Sequence, residues 1–172
     1  MSNRTERAAF TEYLQLQQTF ASCFTLSLIT HDCRVPEVGN IYSLHLNKGI
    51  GVVLRTAQFR VTVNLDQRFE IAQAEGEEVA FNVQTIEYYF TVKDANTGTE
   101  IIAYHWHPTA VHKFPHLHLG AGAATGKLRA GLDKAHLPTG PVSIHEVILM
   151  LIRDFKVPAA RPDAEAILER RT

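Results

Sequence analysis

Residues 83–107 read VQTIEYYFTVKDANTGTEIIAYHWH, and they contain the most convincing hairpin pattern of the chain. Its first ten residues are rich in β-branched and aromatic side chains, which favour strands. The segment KDANTG (93–98) has the composition of a turn, and TEIIAYHWH (99–107) is again typical of a strand. The pattern therefore predicts an antiparallel β-hairpin over 85–107.

Further strands are predicted on both sides of this hairpin. Upstream, IYSLHLN (41–47) and VVLRTAQFRVTVNL (52–65) have strand composition. Downstream, PHLHLG (115–120) indicates another extended segment, and a short strand is expected at 127–132. The middle of the chain is thus predicted to form an antiparallel sheet.

Both ends of the chain are predicted to be helical. Apolar residues recur with a helical period over 4–24. Ser143, followed three residues later by Glu146, is a capping box that begins the apolar helix SIHEVILMLIRDF. The segment RPDAEAILERR indicates a short last helix, so 158–172 are expected to form a peripheral helical tail. The order predicts an α+β fold in one domain over 1–172, with the sheet flanked by an N-terminal helix and C-terminal helices.

Composition excludes several classes of protein. The 172 residues include 17 basic and 18 acidic side chains, and 45% of the chain is hydrophobic. The net charge of −1 gives no overall attraction to nucleic acid or to a membrane surface. Cys23 and Cys33 match no metal or redox spacing. No signal-peptide core and no membrane-spanning apolar run is evident, so a cytoplasmic protein outside the membrane is expected.

Five of the nine histidines lie within the fourteen residues 105–118. Because strand side chains alternate between faces, His105 and His107 should share one face with Ile101 and Ala103. His116 and His118 should pair in the same way on the next strand. Only eight residues, 108–115, link the two pairs, so the sequence predicts a cluster of four imidazoles.

The surroundings of this cluster predict its remaining parts. His112 and Lys113 lie in the connecting loop and are expected to close over the cluster, while Lys113 or Arg129 contacts phosphate. Glu100 is expected on the opposite face, which leaves the segment poor in carboxylates. Trp106 is expected to pack in the core. The remaining histidines are expected to be ordinary surface, packing or core residues: His31, His45, His136 and His145.

Two chemistries suit such a cluster. A neutral and a charged imidazole together deprotonate the 2′-hydroxyl and protonate the leaving oxygen during RNA cleavage. Imidazole is also the commonest ligand for zinc and similar metals. Because carboxylates are few, we expect metal-free phosphodiester cleavage with no cofactor, in which the catalytic residues are His105, His107, His116 and His118.

The histidine-rich run and its neighbours resemble the TumE-like toxin family of prokaryotic toxin–antitoxin systems. The resemblance covers about residues 85–155 and depends on the block of Phe114, Pro115, His116 and His118, followed by the capped helix. It implies a small ribonuclease-like toxin with RNA as substrate and a DNA-binding antitoxin as partner. His105-Trp106 stand where that family has Asp-Asn.

Two other functions remain open from the sequence. One is a cupin-like β-sandwich, non-catalytic or metal-dependent, which binds a divalent metal such as zinc, or a small ligand, through the same four histidines. The other is a structural or interaction protein in which the histidine cluster is incidental.

Overall fold

The computed structural model describes residues 5–74, 80–120 and 136–170. Arg129 and the strand expected at 127–132 lie outside this part of the chain. Within it, no helix is both long and apolar enough to cross a membrane. The elements in chain order are α1 (Glu6–Ala21), β1 (Ile29–His31), β2 (Ile41–Leu46), β3 (Val52–Arg55), β4 (Arg60–Gln73), β5 (Phe81–Asp94), β6 (Glu100–Trp106), β7 (His116–Leu119), β8 (Leu137–Pro138), α2 (Ile144–Arg153) and α3 (Ala164–Leu168).

The described strands form one antiparallel sheet, which confirms the predicted α+β class. Their order is β1-β2-β4-β5-β6-β7-β8, and β3 pairs with the first four residues of β4, Arg60–Val63. The hairpin predicted over 85–107 is present as β5 and β6, with Tyr89 opposite His105. The described strands belong to a single sheet, so the β-sandwich expected for a cupin-like protein is not seen in these residues.

The two faces of this sheet differ sharply in polarity. Leu65, Phe69 and Phe90 are completely or almost completely buried against the helices. The residues that alternate with them, including Asp66 and Tyr89, point to the opposite face. The helices and the apolar core therefore lie on one side of the sheet, and the other side is free to carry polar groups.

The helices are fixed to the inner face by their ends and their apolar stripes. Thr5 caps the start of α1. The predicted capping box is confirmed, because the Ser143 hydroxyl accepts from the Glu146 N–H while the Glu146 carboxylate accepts from the Ser143 N–H. Residues 158–172 were predicted to form a peripheral tail, but part of this segment is buried. Ala164 and Leu168 of α3 are buried in the same core as α2.

A β-bulge between β5 and β6 changes which side chains face outward. Val92 pairs with Ile102 but Lys93 pairs with Glu100, so Ile101 has no opposite partner. Ile101 accordingly packs against the core instead of sharing a face with His105. The same shift brings Glu100 to the outer face, where it accepts a hydrogen bond of 3.4 Å from the Tyr89 hydroxyl. The expectation that Glu100 points away from the histidines was wrong for this reason.

Candidate metal centre

A row of polar side chains crosses the outer face of the sheet from strand to strand. Asp66 on β4 is opposite Tyr89 on β5, Tyr89 is opposite His105 on β6, and His105 is opposite His116 on β7. His118 lies one step along β7, opposite Ala103. Residues directly opposite one another in neighbouring strands have side chains in contact range. The register therefore places histidines of two strands side by side.

Three of these imidazoles converge. The ring centroids of His105 and His118 are 4.6 Å apart, those of His116 and His118 are 5.0 Å apart, and those of His105 and His116 are 5.5 Å apart. One ring nitrogen from each residue lies within 4.8 Å of the other two. Ligands of a tetrahedral zinc ion, at about 2.0 Å from the metal, are about 3.3 Å apart. Small rotations of the three side chains would close the remaining distance.

The hydrogen bonds of the three rings leave their inner nitrogens free. His116 is almost fully buried, and its Nδ1 donates to the carbonyl oxygen of Phe114 at 2.8 Å. That bond fixes the tautomer and leaves Nε2 with a lone pair. The Nε2 atoms of His105 and His118 are buried and have no hydrogen-bond partner among the described residues. Buried polar atoms without partners are rare and costly, so each one needs an explanation.

Electrostatics favour neutral rings in this cluster. Burial lowers the pKa of His105 to about 3, and repulsion from His118 and the other nearby imidazoles adds to the effect. Burial likewise lowers the pKa of His118, with further repulsion from His136 and His116. Both rings are therefore unprotonated at neutral pH. A neutral imidazole is the form that binds a metal, whereas general-acid catalysis near neutral pH needs the protonated imidazolium.

His107, the fourth histidine expected in the cluster, is near the other three but is engaged elsewhere. Its ring centroid is 5.8 Å from that of His105, and its Nδ1 lies 2.9 Å from a carboxylate oxygen of Glu87 on β5. The other oxygen of Glu87 accepts from Arg68 at 3.2 Å. The structure thus places a histidine–carboxylate pair beside the three converging rings.

The expectation of a carboxylate-poor site was therefore wrong. Glu87 and Glu100 both reach the outer face, where Glu87 bonds His107 and Glu100 bonds Tyr89. Glu87 comes from the preceding strand through the hairpin register, and Glu100 comes through the bulge. Neither effect can be read from the residues that flank His105 and His107 alone.

Two further histidines adjoin the cluster. His112, in the loop, has its ring centroid 6.1 Å from that of His116, close to the position expected for it. His136 packs 4.0 Å from His112, 4.4 Å from His118 and 4.9 Å from His116, measured between ring centroids. The sequence did not indicate His136 as part of this group. His136 directly precedes β8, and the pairing of β8 with β7 brings it beside the cluster.

No contact within the described residues identifies Lys113 as a phosphate ligand. Lys113 is exposed in the loop beside the cluster, and Arg129 lies outside the described residues. Phe114 is 42% exposed, and its ring centroid is 5.7 Å from that of His116. Trp106 packs against the core, as expected.

The other histidines have ordinary surroundings. His31 contacts Phe10 edge to face, with 5.2 Å between ring centroids. The Nδ1 of His45 is 2.6 Å from Asp66. His145 lies in the first turn of α2, where it bonds Ser143. These contacts agree with the roles expected from the sequence.

Comparison with known proteins gives this chain no relative. No protein-family model, no curated protein and no solved structure matches it significantly. The resemblance to TumE-like toxins therefore stays a prediction. The function is inferred from the geometry of His105, His116 and His118.

Proposed function

We propose that this protein is a metal-dependent hydrolase in which His105, His116 and His118 bind one divalent transition metal ion. One observation carries the proposal. His105, His116 and His118 converge; the first and last each have a buried Nε2 without a partner among the described residues, and the Nδ1 of His116 is already bonded to a backbone carbonyl. A metal ion would satisfy all three inner nitrogens at once.

Zinc is the metal that fits this donor set best. The three ligands are all neutral nitrogens, which suit zinc better than they suit calcium or magnesium. Catalytic zinc sites typically use three protein ligands and keep a fourth position open for water or substrate. Two of the ligands share β7 and the third is opposite them on β6, so the hydrogen-bonded ladder holds the three rings on one rigid surface.

The neighbouring side chains supply the remaining parts of a hydrolytic site. A zinc ion lowers the pKa of a bound water to about 7, which makes that water a nucleophile at neutral pH. His107 is placed to accept the proton, because its ring adjoins His105 and its Nδ1 is held by Glu87. Arg68 positions the Glu87 carboxylate from the other side. Glu87 and Arg68 are thus positioning residues in this proposal.

RNA is the first substrate to test. The phosphodiester cleavage expected from the sequence is retained in this proposal, but the metal-free route is less well supported. That route needs one protonated imidazole, and the lowered pKa values of His105 and His118 remove both from that role at neutral pH.

The experiment is a hydrolysis assay on protein purified without a histidine tag. An RNA oligonucleotide, bis(p-nitrophenyl) phosphate and p-nitrophenyl acetate are each incubated with the protein, with chelator, and with chelator followed by excess zinc. We expect hydrolysis of at least one substrate that chelator abolishes and zinc restores. His118→Gln should abolish it as well, because one of the three ligands is lost. The control variant is His31→Gln, which removes an imidazole on the opposite edge strand of the sheet and should keep full activity.

Other outcomes would count against the proposal. RNA cleavage that persists in excess chelator and leaves 2′,3′-cyclic phosphate ends would favour the metal-free mechanism. Absence of hydrolysis for all three substrates by zinc-loaded protein would remove the support for a hydrolase of these bond types. Equal activity in His118→Gln and His31→Gln would place the reaction elsewhere.

A further inference from the structure

A second site lies on the opposite face of the same sheet. An open cavity of about 480 Å³ lies between α1, the inner side of β4, β5 and β6, and the segment 141–146 that leads into α2. Cavities of this size are typical of small-molecule sites. None of its walls includes the converging histidines, which project from the other side of the sheet.

Two buried glutamines line this cavity. Gln17 of α1 is 8% exposed and Gln67 of β4 is 5% exposed. Gln67 donates its two amide hydrogens to the Tyr13 hydroxyl and, at 2.8 Å, to the Thr85 hydroxyl. Its Oε1 is left as an acceptor. Gln17 makes no side-chain hydrogen bond within the described residues, although a buried amide normally has partners. The cavity wall therefore presents both donors and an acceptor that are unused.

Four rings form a further part of the wall. Tyr88 and Trp106 lie on the sheet side, with 5.9 Å between their ring centroids. Phe20 and His145 lie on the helix side, with 5.1 Å between theirs. The Tyr88 hydroxyl accepts from the Val142 N–H at 3.0 Å, so its own hydrogen is available to a ligand. Rings on two opposing walls favour a flat, aromatic occupant.

The described lining of the cavity offers no cation to an anionic ligand, and its one carboxylate, Glu146, already has hydrogen-bond partners. Neither lysine nor arginine is among its lining residues. The Glu146 carboxylate accepts from the N–H and the hydroxyl of Ser143 in the capping box. His145 is bonded to the same hydroxyl at 2.9 Å. An anionic compound would be desolvated here without a cation to pair with it, so an uncharged one is favoured.

We propose that this cavity binds an uncharged, planar heteroaromatic compound, with a nucleobase or nucleoside as the matching chemical class. Such a compound combines a flat ring for the aromatic walls with an edge of adjacent donors and acceptors, which complements the Gln17 amide and the Gln67 oxygen. The proposal does not depend on the metal centre, because the two sites share no lining residue.

Trp106 makes the test direct, since it is the only tryptophan in the chain and lines the cavity. The full-length protein is titrated with adenosine, guanosine, uridine and indole, and binding is followed by tryptophan fluorescence (calorimetry for indole, which itself fluoresces). We expect saturable binding of at least one nucleoside. Gln17→Leu keeps the size of the side chain but removes its hydrogen bonds, so it should weaken binding at least tenfold. The matched control is Gln15→Leu on the exposed side of the same helix, which should bind as the wild type does.

Each outcome of the titration either supports the proposal or overturns it. Binding of a nucleoside that is weakened by Gln17→Leu and unchanged in chelator supports the proposal. Binding of indole alone would overturn it, because the glutamines would then play no part. It would also be overturned if no probe binds, or if Gln17→Leu and Gln15→Leu bind a nucleoside equally. Should Gln17→Leu fail to fold by circular dichroism, Gln17→Met provides the same comparison.

Discussion

The metal-free protein should lose stability in mild acid because of His105. Its folded-state pKa is lowered to about 3, from the ordinary value of 6.5, chiefly by burial. Between these two values the unfolded chain binds more protons than the folded chain does. Stability is therefore complete above pH 6.5 and falls as the pH decreases toward 3. The histidine cluster thus makes the apoprotein acid-sensitive.

The size of the loss follows from the same pKa shift. From pH 7 to pH 5, a histidine with this shift would remove about 2 kcal/mol from the free energy of unfolding, at about 1.4 kcal/mol per pH unit. The ring is only partly shielded from water, so screening reduces the expected contribution to about 1 kcal/mol. His118 should add to the loss, since its pKa is also lowered by burial.

The assay is urea unfolding of chelator-treated protein at pH 7 and pH 5. His105→Gln removes the titrating group, so the difference between the two pH values should shrink by about 1 kcal/mol relative to the wild type. The control, His31→Gln, removes an imidazole outside the cluster. The reasoning would be refuted if wild type and His105→Gln lost the same stability on acidification, or if His31→Gln reduced the loss as much as His105→Gln does.

Three further substitutions have defined consequences. Glu87→Gln should lower the hydrolysis rate by about 10²-fold or more, because it weakens the hydrogen bond that orients His107. The bound metal should stay in place, since no ligand is removed. Hydrolysis rate and metal content are measured on the same sample. Ser143→Ala should reduce the free energy of unfolding by about 1 kcal/mol in urea, through loss of the capping box. Gly120→Ala should cost about 1–3 kcal/mol in the same assay, since its Cβ would lie 2.0 Å from the Glu100 carbonyl oxygen, and an unchanged midpoint would show that the backbone yields freely there.

The sequence was sufficient for those parts of the fold that depend on local pattern. The hairpin of β5 and β6 was predictable because its strands have β-branched and aromatic composition and a turn separates them. The start of α2 was predictable because Ser143 and Glu146 form a local capping signal. The approach of the two histidine pairs on neighbouring strands was predictable from alternation and a short connection.

The parts that could not be predicted depend on register and on distant strands. The bulge at Ile101 breaks the alternation of side chains and turns Glu100 outward. No residue of β6 indicates that a bulge occurs there. Glu87 meets His107 only because the hairpin register aligns them. His136 joins the cluster through the pairing of β8 with β7. Because tertiary structure sets such contacts, the site predicted to be poor in carboxylates contains a histidine–carboxylate pair in the structure.

The metal content of the purified protein shows whether His105, His116 and His118 bind a metal ion. Protein purified without a histidine tag, loaded with zinc and freed of excess by gel filtration, is analysed by elemental mass spectrometry. Three converging imidazoles predict about one zinc ion per chain. Single glutamine substitutions of His105, His116 or His118 should reduce that ratio strongly, while His31→Gln should leave it unchanged. A wild-type ratio near zero, or a ratio that the three ligand variants retain, would contradict the proposed metal centre.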